Sequence, residues 1–251
     1  MPTIAIFDSG LGSLSIIRQV QRKTGSHVVY FADQKSYPYG TKSSKELGRI
    51  INLTIKKLRT RFEPDLIVVA SNTPSLLLNP KRNASVLWVY PPLQAAVKKT
   101  STKTIAVLAT TSAVNSKRLQ DYIKQNVPDR IKVVKIDASG LVDLVESGKF
   151  VTKKELCVKK IKRDLRPIIE EGADVATLSS THLPFLLPLL KKSFPRVTFL
   201  DPAESVADEA ARRLGGKGKA RSTLEIFASG SPKKFEKKLE KIGITKRVQK
   251  L

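Results

Sequence analysis

Cysteine, histidine, methionine and tryptophan are nearly missing from this chain, and acidic side chains are scarce beside basic ones. The one cysteine, Cys157, cannot make an intramolecular disulfide, so the fold has to stand on its apolar core. Two histidines and that single thiol are too few soft ligands for a multi-ligand zinc cluster, and no metal is expected. Long apolar runs are missing as well. None approaches the roughly 20 residues that cross a bilayer, so no membrane partner is expected. Met1-Pro2-Thr3 leads straight into Ile4 and a strand-like stretch, without the basic and apolar blocks of a signal peptide. The expected compartment is therefore the cytoplasm. Apolar residues themselves are plentiful. They make up 41% of 251 residues, enough for packed cores in one large domain or two small ones.

The shortage of acid leaves 46 Lys+Arg against 22 Asp+Glu, a formal charge of +24. Such a field draws phosphate-rich polymers and small anions. The plainer reading is a set of solvated lysine-rich helix faces. The densest cluster is terminal, Lys233-Lys234, Lys237-Lys238, Lys241, Lys246-Arg247 and Lys250, with Phe235 its only aromatic. No nucleic-acid-binding module is recognisable, so non-specific contact with nucleic acid or another anionic surface is the form such binding would take. Removal of residues 233–251 is expected to spare the core.

Short runs rich in β-branched residues recur at 4–7, 28–31, 66–70 and 86–89. After Pro91-Pro92 they recur at 105–108, 131–136, 175–178 and 197–200. Helix-period segments lie between them, such as Ser44–Phe62 with Leu47, Ile50, Ile51, Ile55 and Leu58 on one stripe. Runs apolar on both faces and separated by helices predict an α/β chain of open parallel sheets covered on both sides. Two similar domains are expected, residues 1–92 with about 206–251, and 93–205, the C-terminal helices packing beside the first sheet.

Ligands of open parallel sheets bind beyond the carboxyl ends of the strands. Four small polar clusters fall at such ends: Asp8-Ser9-Gly10, Ser71-Asn72-Thr73, Thr110-Thr111 and Ser180-Thr181-His182. They predict a polar-ligand cleft between the two halves, the plain alternative being that each cluster caps the following helix. Asp8-Ser9-Gly10-Leu11-Gly12 lacks the third glycine of a dinucleotide fingerprint, and Gly40-Thr41-Lys42-Ser43 lacks the upstream glycine of a phosphate loop. A nucleotide cofactor is not expected.

In order, Asp8-Ser9-Gly10-Leu11-Gly12, Phe31-Ala32-Asp33, Pro38-Tyr39-Gly40-Thr41-Lys42-Ser43, Ala70-Ser71-Asn72-Thr73, Leu144-Val145-Glu146-Ser147-Gly148 and Ser179-Ser180-Thr181-His182-Leu183-Pro184 resemble the glutamate racemase branch of the aspartate/glutamate racemase family. The resemblance spans about residues 4–205. It implies two sandwiched α/β domains about a pseudo-twofold axis, with a small acidic amino acid or dicarboxylate bound between them. It implies no pyridoxal phosphate, no metal and no other cofactor.

In that family two cysteines on opposite faces of the substrate α-carbon exchange its proton; their positions here hold Ser71 and Ser180. By the same resemblance Asp8, Glu146 and His182 tune those positions, while Ser9, Tyr39, Gly40, Asn72, Thr73, Thr110 and Thr181 hold the amino acid's carboxylates and ammonium. Ala113 and Leu183 replace a usual threonine and tyrosine, and Ser13 and Ser179 replace glycines. These further changes fit natural divergence better than deliberate inactivation.

A serine hydroxyl is a far weaker acid than a thiol and has to borrow a base, so racemisation is expected to be lost or strongly reduced. Two alternatives stand beside this reading: a non-enzymatic basic protein, and acyl transfer or hydrolysis with Ser180, His182 and Glu146 as nucleophile, base and orienting acid. The plainer roles for retained residues are helix capping for Asp8, a packed turn for Tyr39, a solvated helix end for Glu146 and core packing for His182. Cys157, between Lys153-Lys154 and Lys159-Lys160, reads as a packed helix residue. A homodimer is left open.

Overall fold

The computed structural model describes residues 1–81, 83–216, 218 and 221–251. The chain divides into two units, Met1–Val89 with Ala203–Leu251, and Tyr90–Pro202. The crossings fall at 89/90 and 202/203, where the sequence suggested 92/93 and 205/206.

The first unit opens with β1 (Thr3–Asp8), α1 (Leu14–Thr24), β2 (His27–Ala32), α2 (Ser44–Phe62), β3 (Leu66–Val69), α3 (Asn72–Leu78) and β4 (Val86–Trp88). Almost every residue of β1, β2 and β3 is buried, as strands covered on both faces require. The long helix α2 starts where the Ser43 hydroxyl accepts the Glu46 N–H at 3.2 Å. Its Leu47, Ile51 and Leu58 are buried and pack with Phe7, Phe31 and Val69. Helix α1 ends at Gly25, whose φ of 59° is the left-handed conformation that a side chain would resist.

The second unit runs α4 (Leu93–Lys99), β5 (Thr104–Ala109), α5 (Thr111–Val114), α6 (Lys117–Asn126), β6 (Lys132–Asp137), α7 (Ser139–Glu146), α8 (Lys149–Thr152), α9 (Lys154–Asp164), α10 (Pro167–Glu170), β7 (Val175–Leu178), α11 (Leu187–Ser193) and β8 (Thr198–Leu200). Cys157 is fully buried in α9 among Leu141, Ile161 and Leu165, and burial pushes its thiol up, away from thiolate. Asp174, just before β7, accepts from the hydroxyls of Thr100 (2.6 Å), Ser101 (2.6 Å) and Thr102 (3.1 Å) and from the N–H groups of Ser101 and Thr102. Burial works against its ionisation, but these five donors outweigh it and hold the carboxyl far below the usual carboxylate range. The loop entering β5 is thereby fastened to the start of β7.

The two sheets share one plan. The second is β6-β5-β7-β8, and the first contains the same arrangement as β2-β1-β3-β4, every pair parallel. The first is then widened on the β2 side by the returning chain, which adds α12 (Ala203–Arg213), β9 (Thr223–Ala228), α13 (Pro232–Lys241) and β10 (Val248–Lys250) in the order β10-β9-β2.

That return corrects one expectation. The terminal lysine-rich segment is not a dispensable appendage: Val248, Gln249 and Lys250 pair with Ile226, Phe227 and Ala228, and Phe235 and Leu239 of α13 are completely buried. Phe235 lies 6.1 Å from Tyr30 of β2, ring centre to ring centre. The C-terminal segment therefore brings two strands as well as helices to the first sheet.

Candidate functional site

In the first unit the candidate residues gather beyond the carboxyl ends of three strands. β1 ends at Asp8, whose carboxylate accepts the Ser9 N–H at 2.7 Å and lies 3.5 Å from its hydroxyl. Asp8 does not cap α1; Ser13 occupies that position, without a side-chain capping bond. Its neighbour β3 ends two residues before Ser71, and the Ala70 N–H donates to the Phe7 carbonyl at 2.9 Å, so Asp8 and Ser71 stand at the ends of adjacent strands. Ser71 has extended backbone (φ −149°, ψ 131°) and opens α3, yet its hydroxyl makes no capping bond. Asn72 and Thr73 follow, both buried. Asn72 is 2% exposed, and neither its side-chain oxygen nor its nitrogen has a hydrogen-bond partner among the described residues.

Tyr39 and Gly40 lie in a single tight turn after β2. Tyr39 is more than a packed turn residue: it is buried, and its hydroxyl donates to Asp33 at 3.3 Å. Burial, reinforced by the charges of Asp33 and Asp8, pushes its phenol well above the ordinary range, so it remains a protonated donor at neutral pH. The other Asp33 oxygen accepts from the Ser229 hydroxyl at 3.0 Å, and the Ser229 hydroxyl itself accepts the Lys35 N–H at 3.0 Å. The returning strand β9 thus holds the Tyr39 segment through Asp33.

In the second unit β5 leads to Thr110, whose hydroxyl is 3.3 Å from that of Ser112, and the adjacent β7 leads to Ser179, Ser180 and Thr181. The Ser179 N–H bonds to the Leu108 carbonyl at 2.9 Å, which fixes these two strand ends side by side. His182 and Glu146 are both buried, and the histidine Nε2 meets a glutamate oxygen at 2.8 Å. Glu146 closes α7 without being solvated, and His182 is more than core filling because a carboxylate orients its ring. Ala113 and Leu183, in the same unit, are buried apolar side chains.

A profile of the Asp/Glu/Hydantoin racemase family matches residues 12–210. Glutamate racemase from Herpetosiphon aurantiacus is 31% identical over 245 residues, covering 93% of this chain and 95% of that protein. The chain belongs to this racemase family, in its glutamate racemase branch.

Solved racemase structures repeat the fold. Glutamate racemase isoform RacE1 from Bacillus anthracis superposes with a TM-score of 0.86 at 24% identity, covering 100% of this chain and 97% of that one. The Escherichia coli glutamate racemase, solved in complex with L-glutamate and the activator UDP-MurNAc-ala, gives 0.83 at 23% identity, over 100% and 98% of the two chains.

Two residues that hold the Tyr39 segment have no counterpart among the candidates the sequence offers. Asp33 sits inside one of the family-like motifs but received no role, and Ser229 had no local signal at all. It reaches Asp33 from 196 residues away through the β2–β9 pairing. Among the described residues no group of three or more His, Cys, Asp and Glu side chains is arranged to hold a metal ion. No helix among them is long and apolar enough to cross a membrane.

Proposed function

We propose that this racemase-family chain binds glutamate, or a closely related acidic amino acid, at the strand ends carrying Ser71 and Ser180, and that racemisation there is lost or strongly reduced. The observation that carries the binding is the Asn72 amide. A buried amide with both polar atoms unpartnered is costly unless something completes its hydrogen bonds. Its two donors and its acceptor suit an amino acid's carboxylate and ammonium, and it follows Ser71 directly. The E. coli relative was solved with L-glutamate, in keeping with that ligand class.

In this reading Ser71 and Ser180 face the α-carbon from opposite sides. Asp8 lies beside the first, and the Glu146–His182 pair beside the second. Ser9, Tyr39, Gly40, Asn72, Thr73, Thr110 and Thr181 hold the ligand's charged ends, with Tyr39, whose one proton goes to Asp33, offering its oxygen as an acceptor. Racemisation needs a base that takes the α-proton and an acid that returns one on the other face. A hydroxyl supplies almost no base at neutral pH unless a neighbour removes its proton first.

Calorimetric titration with D- and L-glutamate and D- and L-aspartate tests the binding. Saturable binding of at least one of them is expected, weakened about fivefold or more by Asn72→Ala, as loss of a buried hydrogen bond worth about 1–3 kcal/mol implies. The reading fails if none of the four binds, or if Asn72→Ala binds as tightly as the unaltered protein.

A further inference from the structure

The strongest feature outside these strand ends is the charge on α13. Residues 232–251 carry eight cations (Lys233, Lys234, Lys237, Lys238, Lys241, Lys246, Arg247 and Lys250) and two acids, Glu236 and Glu240. At about 100° per residue, the five lysines of α13 sweep an arc of roughly 140°, and both glutamates fall outside it on one flank. Phe235 and Leu239 point the opposite way, into the core. Glu236 is turned toward β10, where it accepts the Val248 N–H at 2.7 Å. Lys250 is likewise spent on structure, donating to the carbonyls of Ser229 and Gly230. What remains outward is an arc of lysines, bordered on one flank by the exposed Glu240 and continued by the exposed Lys246 and Arg247.

Two further facts describe this face. Lys233, Lys234, Lys237 and Lys241 are exposed and take part in none of the ion pairs of the described residues. Lys233/Lys237, Lys234/Lys238 and Lys237/Lys241 are also like-charged neighbours at i,i+4, an arrangement that destabilises a helix unless an external anion screens it.

We infer that the α13 face is a docking surface for the phosphodiester backbone of a nucleic acid, bound without reading its sequence. An anionic membrane fits less well. A helix that lies on a membrane inserts apolar side chains, and those of α13 are buried in the protein. None of the exposed large hydrophobic residues (Met1, Leu53, Val151, Leu156 and Ile169) belongs to α13 or β10. The face also offers no exposed aromatic on which an unpaired base could stack, so a duplex backbone is the better match. This inference is independent of the amino-acid site.

The test is binding of mixed-sequence DNA and RNA duplexes, followed by fluorescence anisotropy across a salt series. Three folded proteins are compared, with circular dichroism melts as the check on folding. They are the unaltered chain, a variant with Lys233, Lys234, Lys237, Lys238 and Lys241 all changed to Gln, and a charge-matched variant with Lys124, Lys153, Lys154, Lys159 and Lys162 changed to Gln. Each phosphate contact contributes about −0.9 to the slope of log K against log salt. The α13 variant is expected to lose at least about 100-fold in affinity at 0.1 M salt and to flatten that slope by about 3–4, the charge-matched variant to lose only a few-fold. Equal losses in the two variants would assign binding to net charge and overturn the inference. So would absent duplex binding near 0.15 M salt, or stronger binding to phosphatidylserine vesicles than to either duplex.

Discussion

Incubated in deuterium oxide with D- or L-glutamate, or D- or L-aspartate, the protein is expected to leave the α-proton signal of each amino acid undiminished. A thiol with a pKa near 8.5 reaches its thiolate form readily when neighbours favour the charge. A serine hydroxyl does not. Asp8 ends the strand paired with the one that leads to Ser71, and Glu146 is bonded to His182 two residues after Ser180, so on the proposed reading Asp8 and the Glu146–His182 pair are the bases for the two hydroxyls. A positioned base commonly supplies about 10²–10⁴-fold, which on the proposed reading is too little to compensate for two hydroxyls in the place of two thiols. Ser71→Cys or Ser180→Cys alone should therefore give little exchange, because racemisation needs a donor and an acceptor. The double variant should exceed both single variants, to the extent that a pocket altered at Ala113 and Leu183 still orients the substrate. Rapid exchange by the unaltered protein, abolished by Ser71→Ala or Ser180→Ala, would show that serine suffices.

Truncation after Ser231 is expected to unfold the first unit. It removes α13 and β10, strips β9 of its outer partner along residues 226–228 and uncovers Tyr30. Phe235→Ala alone should cost about 3–5 kcal/mol, as for other large aromatic side chains cut out of a core. Against a total of about 5–15 kcal/mol for a typical domain, the full deletion exceeds what the unit can lose. Calorimetry should show the Phe235→Ala melting midpoint lowered by roughly 10 °C, and the truncated chain without the transition of its first unit. A truncated protein melting like the intact one would mean that the C-terminal segment contributes no essential packing.

The contrast between this segment and the rest shows what a sequence discloses. The inner strands were legible because a parallel strand covered on both faces must be apolar throughout, and 4–7, 66–70, 105–108 and 175–178 are such runs. β9 was not. β10 pairs only with its last three residues, so the first half of β9 is an open edge that tolerates Thr223 and Glu225, and its apolar pattern is broken. β10 itself is three residues long with two exposed, and no periodicity can be read from that length.

The candidate residues follow a similar division. Asp8, Ser71, Ser180 and His182 stand in strand-end motifs that chain order alone makes visible. The 2.8 Å bond between Glu146 and His182 depends on the end of α7 meeting the turn after β7, 36 residues later, which no local spacing encodes. The tie from Ser229 through Asp33 to Tyr39 is less local still, since it exists only because the returning chain joins the first sheet.

The central claim, that one acidic amino acid is held by both serine-bearing strand ends without being racemised, is tested most directly by a crystal structure of the unaltered protein grown with glutamate. The account predicts a single glutamate whose α-carbon lies in contact with the Ser71 hydroxyl on one side and the Ser180 hydroxyl on the other. The Asn72 amide should be hydrogen-bonded to that ligand, and the enantiomer supplied should be the one observed. Glutamate bound elsewhere, or touching one serine with the other too far away to reach the same molecule, would contradict it.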